Sequence, residues 1–225
     1  MDEPVAARMT KSEYAYASVR EKILSGEFPP GSVLNQATLA RTIGISTTPL
    51  REALRRLMTE RLVELDAHRD ARVTQLSGEE VRDLVELRRV LDPMAAALAA
   101  ERRTKDDIAE IRRSVAEQRA LPNDPSLQQL AEQRRFHAAI YRASHNDLLV
   151  DALDGLWDKA DRYRMHALAE GRSSAERNER DDEHRLLAEH VIAGDADAAA
   201  DLMRRHIDAS LSARSARSLL HGDAS

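Results

Sequence analysis

The sequence predicts a mainly α protein, with an N-terminal winged helix-turn-helix followed by a C-terminal all-α antiparallel helical bundle. Three observations predict it. Residues 35–75 hold two short amphipathic helical patterns joined by a tight turn, with a two-stranded ribbon pattern behind them. After that ribbon no strand alternation appears, and apolar residues recur at helical spacing. Aromatic residues make up 3% of the chain against 42% hydrophobic residues, so the core is built from Leu, Ala, Val and Ile, a composition that suits helices.

Residues 1–10 read as a disordered tail. Residues 11–76 read as the DNA-binding domain, opened by a helix over 11–26 whose inner face is Tyr16, Val19, Ile23 and Leu24. The Phe28-Pro29-Pro30-Gly31 stretch breaks it. In residues 36–43, Leu39, Ala40 and Ile43 share one helical face. Gly44 stands where a helix end needs a residue tolerant of positive φ. Ser46 is placed to cap the next helix, and Pro49 falls in its first turn, where a missing N–H does no harm. Leu50, Leu54, Leu57 and Met58 form its predicted buried stripe. Thr48, Arg51 and Arg55 point the other way.

That second helix is a candidate reader of double-stranded DNA. Arg51, near its N-terminus, is the candidate for a base edge, guanine O6/N7. Thr47, Thr48 and Arg55 are candidate phosphate contacts. Leu62, Val63 and Leu65 predict one wing strand, and Ala71, Val73 and Gln75 a second. His68 and Arg69 lie at the tip between them, where a cation can reach a minor groove or a phosphate.

Residues 77–220 read as an all-helical bundle of six or seven helices, and 221–225 as a tail. Ser77 with Glu80 has capping-box spacing, as has Ser126 with Gln129. Pro93 is expected to kink or interrupt the long pattern around it. Further helices are expected from Thr104, over 147–170, over 175–193 and over 196–220, the last two paired around the turn at Gly194 and Asp195. Asn146 reads as a helix cap.

The formal charge of −5 is spread unevenly, because the first 76 residues are close to neutral and the acid excess lies behind them. Screening confines charge effects to about 10 Å, so an acidic second domain tolerates a basic helix in the first. The absence of cysteine excludes disulfides, thiolate metal sites and cysteine nucleophiles, and fits a reducing cytoplasm. The N-terminus lacks the apolar segment of a signal peptide, and no apolar run reaches membrane-spanning length, so no membrane partner is expected.

The run TTPLREALRRLMTERLVEL resembles the recognition helix and first wing strand of the GntR family of bacterial transcription regulators. The segments RRFHAAIYRASHN, DEHRLLAEHVIAGDADAA and LMRRHID resemble the effector domain of its FadR-like subfamily, of the FCD type. The sequence departs from the family at Thr47, where Arg is frequent, and at Asp70, where the wing tip usually has Gly.

The resemblance implies a homodimer on a palindromic operator. It also implies a cavity in the helical domain that takes a small carboxylate effector. In the family's metal-binding branch three histidines and an Asp hold an ion. The matching positions here are His137, His184 and His206, with Gln133 where the Asp stands. An imidazole and carboxamide set accepts zinc, nickel or manganese. Arg88, one turn before Asp92, is the candidate for capturing the carboxylate. The rival readings are an Arg88–Asp92 surface pair and three cavity histidines without metal. At the level of the whole chain the reading is a ligand-responsive cytoplasmic repressor and not an enzyme. Its rivals are a metal-dependent hydrolase fused to a DNA-binding module, with Glu132 or Glu183 as base, and an architectural DNA-binding protein.

Overall fold

A computed structural model describes residues 9–65, 70–118, 121–122, 125–169, 171 and 173–222. The chain forms two compact units, Met1–Leu76 and Ser77–Ser225.

In the first unit, α1 (Lys11–Leu24) is opened by a capping box between Thr10 and Glu13. It ends two residues earlier than the sequence suggests, because Gly26 turns the chain at φ +80. Next come β1 (Val33–Asn35), α2 (Gln36–Ile43), α3 (Thr47–Thr59), β2 (Val63–Leu65) and β3 (Asp70–Val73). The strands pair antiparallel in the order β1-β3-β2, with Val33 opposite Arg72 and Val63 opposite Val73. Sequence reading missed β1, since three residues with one buried side chain, Leu34, carry no alternation to detect. Leu62 is buried but precedes its strand, and Gln75 follows the end of β3.

Asn35 joins helix to sheet. Its side-chain oxygen accepts from Thr38 N–H at 3.0 Å, capping α2, while its amide donates to Asp70 at 3.0 Å. Gly44, at φ +79, closes α2 as expected, donating to the carbonyl of Ala40. Ser46 occupies the N-cap of α3, but its hydroxyl makes no cap bond there. Leu50, Ala53, Leu54 and Leu57 pack with Val19, Leu39, Val63 and Val73 into one core. Met58 does not join them and is 42% exposed, because it lies about 100° around the helix from Leu57.

The second unit comprises α4 (Gly78–Arg102), α5 (Lys105–Glu117), α6 (Leu127–Ala143), α7 (Asp147–Ala169), α8 (Ser174–Ala193), α9 (Ala196–Asp208) and α10 (Leu211–Gly222). Capping boxes at Thr104, Ser126 and Ser173 start α5, α6 and α8. Asn146 caps α7 by accepting from Leu149 N–H at 3.2 Å. Pro93 does not interrupt α4, which runs through it unbroken. The pattern over 196–220 is two helices rather than one. Ser210 starts the second by accepting from Ala213 N–H at 3.2 Å, a break that no Gly or Pro announces. Long α4 packs against α6, α7, α8, α9 and α10, and its small residues Ala95, Ala96, Ala99 and Ala100 are fully buried. This central position brings Arg88 to a cavity lined also by residues of α6, α7, α8, α9 and the start of α10. Among the described residues no helix is long and apolar enough to cross a membrane.

Candidate functional site

On the first unit, Thr47, Thr48, Arg51 and Arg55 are all exposed on α3. They lie opposite the stripe of Leu50, Leu54 and Leu57, so the core fixes the helix while this face stays open. Arg51 is also oriented, a feature sequence reasoning missed. Its Nε donates to Gln36 Oε1 at 3.1 Å, and Gln36 is itself buried. Arg72 on β3 is exposed and donates to the carbonyl of Gly31 at 2.8 Å. His68 and Arg69 lie outside the described residues.

The second unit gathers His137 from α6, His184 from α8 and His206 from α9. Each is under 7% exposed, and one ligand atom from each lies within 4.8 Å of the others. The Nε2 atoms of His184 and His206 are 3.3 Å apart. Two nitrogens held on one ion at tetrahedral zinc bond lengths are separated by about 3.3 Å. His137 Nδ1 is buried without a hydrogen-bond partner among the described residues. Burial holds all three imidazoles well below their ordinary range. The neighbouring histidines and guanidiniums press the same way, Arg88 and Arg164 on His137, and Arg180 and Arg164 on His184 and His206. They are therefore neutral at pH 7, the form that ligates a metal. Three converging neutral imidazoles, one with an orphaned nitrogen, fit a divalent transition ion.

Gln133 is buried beside them, with its side-chain oxygen engaged by the guanidinium of Arg164. Arg164 pairs with Asp161 at 2.9 Å and lies 4.7 Å from the centre of the Trp157 ring. Arg88 lies at the same distance from that ring. It is 3% exposed and pairs with fully buried Asp92 at 3.1 Å, so this is not a surface ion pair. Asp92 also accepts from the Tyr141 hydroxyl at 3.2 Å, and Tyr141 accepts from Trp157 Nε1 at 3.0 Å. Both bonds of Arg88 to Asp92 use Nε, and its side chain also hydrogen-bonds that of Tyr141.

Arg88, Gln133, His137, Trp157, Arg164 and His206 share a cavity of about 30 Å³. An outer polar groove of about 420 Å³ abuts it, lined by Glu176, Glu179, Glu183 and Arg214 among others. Arg180, Ser210 and Leu211 line both spaces. Sequence reasoning missed Arg164 and Arg180, because an arginine inside a charged helical run looks like a solvated one.

Residues 11–73 match the family described as bacterial regulatory proteins, gntR family, and residues 83–209 match the FCD domain. The chain belongs to the GntR family. This GntR regulator is 30% identical over 201 residues to the HTH-type transcriptional repressor GlaR of Escherichia coli, covering 85% of this chain and 90% of GlaR. It is 27% identical over 194 residues to the E. coli regulator McbR, covering 84% of this chain and 87% of McbR. The solved structure of E. coli McbR/YncC shares the fold, with a TM-score of 0.75 at 23% identity over 96% of this chain and all of that one. The family and these relatives are DNA-binding transcription regulators rather than enzymes, which removes the hydrolase reading. Glu132, one candidate base, accepts from Gln128 at 3.0 Å, and Glu183, the other, bonds His206 Nδ1 at 2.9 Å.

Proposed function

We propose that this GntR regulator is a cytoplasmic repressor that binds a palindromic operator as a homodimer. A small carboxylate, entering the helical domain, releases it. Convergence of the buried His137, His184 and His206, two of which (His137 and His206) line one cavity with Arg88, carries this reading. The three histidines hold a divalent transition metal such as zinc, nickel or manganese. When bound, the ion supplies a Lewis-acidic centre for an effector carboxylate. Arg88 supplies donors in a fixed fork for the same group, and Trp157 forms the wall behind it. On the DNA side, Arg51 reads a base edge and Thr47, Thr48 and Arg55 hold phosphates, with His68 and Arg69 reaching from the wing. One recognition helix reads only a few base pairs, so useful affinity requires two copies.

The cavity volume suggests how binding becomes a signal. Some 30 Å³ is room for only a few waters, so a carboxylate bound there displaces the side chains around it. The effector therefore binds only a form in which the wall has yielded, which supplies the differential affinity a population shift requires. Helix α7 connects the two ends. Trp157 and Arg164 lie at the cavity, while the Tyr163 hydroxyl donates to Glu80 at 2.6 Å and accepts from Ser77 N–H at 3.4 Å. Displacement of α7 thus reaches the first residues after the DNA-binding domain.

The test begins by selecting operators from random duplexes with the purified protein. Release of the selected duplex is then measured with metal and a panel of small carboxylates. Release by a carboxylate in the metal-loaded protein supports the reading. Failure of every small molecule to shift DNA binding favours an architectural protein.

A further inference from the structure

We propose that Gln118 and Glu183 are the positioning residues of the histidine centre, and that Gln133 is not a ligand. The assignment rests on the metal-binding reading of the three histidines and concerns what aims them.

His184 meets Gln118 through Nδ1, and His206 meets Glu183 through Nδ1 at 2.9 Å, so each ring presents Nε2 to the shared point. The two Nε2 atoms face each other at 3.3 Å, a spacing at which one ring's N–H can donate to the other's lone pair. Two arrangements satisfy that pair. In one, Gln118 donates its amide N–H to His184 Nδ1, His184 Nε2–H donates to His206 Nε2, and His206 Nδ1–H donates to Glu183. In the other, His184 Nδ1–H donates to the Gln118 carbonyl, and His206 Nε2–H donates to His184 Nε2. His206 Nδ1 then accepts from Arg180 Nη1 at 2.9 Å.

An ion needs both Nε2 lone pairs at once. Both protons must then sit on Nδ1, and both must have an acceptor there. Glu183 Oε2 is the acceptor for His206. A half-turn of the Gln118 amide puts its carbonyl opposite His184 Nδ1. Each ring keeps one proton throughout, so ion binding moves protons between ring nitrogens without adding or removing one. Gln118 is buried at the C-cap of α5, and Glu183 lies one residue before His184 on α8, so both acceptors come from the framework of the bundle.

Gln133 is held differently. Its oxygen is taken by Arg164, which is anchored by Asp161 and by the Trp157 ring. Turning that oxygen onto an ion would strip a buried guanidinium of a partner. The centre is therefore a three-histidine site with its remaining positions open to the effector.

The experiment uses full-length protein stripped of metal, with zinc affinity measured by competition with a chromophoric chelator. Gln118→Leu and Glu183→Ala are expected to weaken zinc binding by about tenfold or more. Gln118→Glu and Glu183→Gln, which keep an acceptor, stay near wild type, and Gln133→Leu also binds like wild type. Two-bond ¹H–¹⁵N spectra of zinc-loaded wild type are expected to show His184 and His206 protonated at Nδ1, a readout that stands even where a variant fails to fold. Protonation at Nε2 overturns the assignment. So does a loss in Gln133→Leu as deep as in His184→Ala, or wild-type affinity in both Gln118→Leu and Glu183→Ala. A wild type that takes up no zinc overturns the metal centre itself, and the assignment with it.

Discussion

Arg88 reaches Asp92 at 3.1 Å in the interior of the helical domain, with Asp92 fully buried and also accepting from Tyr141. This pair puts a cation on the cavity wall at a high cost in desolvation. Removing one partner leaves the other charge buried and uncompensated. Arg88→Met is therefore expected to destabilise the domain by about 3–5 kcal/mol, measured by urea unfolding. The double variant Arg88→Met, Asp92→Leu is expected to recover most of that loss. An Arg88→Met protein as stable as wild type would show that the pair is not buried as described.

Arg51 is expected to contribute to DNA recognition through its base contact. Arg51→Ala should weaken binding to the selected operator by about 1–3 kcal/mol, seen as a loss of shift in gel retardation with the fold intact. Gln36→Ala, which frees Arg51 without removing it, should lose less. Equal binding by wild type and Arg51→Ala would refute the base contact.

Tyr163 is expected to couple the cavity to the first residues of the helical domain. Tyr163→Phe removes the hydroxyl that engages Ser77 and Glu80. Metal uptake should be unchanged, while effector-induced release from DNA weakens by about 0.5–2 kcal/mol of coupling. Trp157, the chain's sole tryptophan, reports effector binding by its fluorescence in both proteins. Unaltered release in Tyr163→Phe would exclude this route.

Asp107 sets an acid limit on α5. Burial works to raise its carboxyl, but hydrogen bonds from the Thr104 N–H and hydroxyl and from His145 outweigh it and hold it below the usual range. A carboxyl whose folded pKa is depressed contributes stability above its unfolded value, near pH 4, and loses it as pH falls through the folded value. The difference in urea midpoint between wild type and Asp107→Asn is thus expected to be present at neutral pH and to close on acidification below pH 4. A gap independent of pH would point to packing instead.

The legible part of the fold was the part with strong periodicity. The stripe of Leu50, Leu54 and Leu57, the glycine at 44 and the capping residues Ser77, Thr104 and Ser126 act through neighbours three or four positions away. Such local rules can be read along the chain. Strand β1 was not legible, because its pairing with β3 joins residues far apart in sequence. The break at Ser210 was hidden because a serine hydroxyl replaces the usual Gly or Pro. The histidine trio stood out only through the family resemblance around it. Gln118 and Arg164 carried no signal, since nothing local distinguishes a buried polar residue on a helix from a solvated one.

The most direct measurement is elemental analysis of the full-length protein, purified without chelator and without an added histidine tag, beside His184→Ala. One equivalent of divalent transition metal per chain in wild type, lost in the variant, is the expected result. A folded wild type without metal would contradict it and leave the three histidines as hydrogen-bonding groups of the effector cavity.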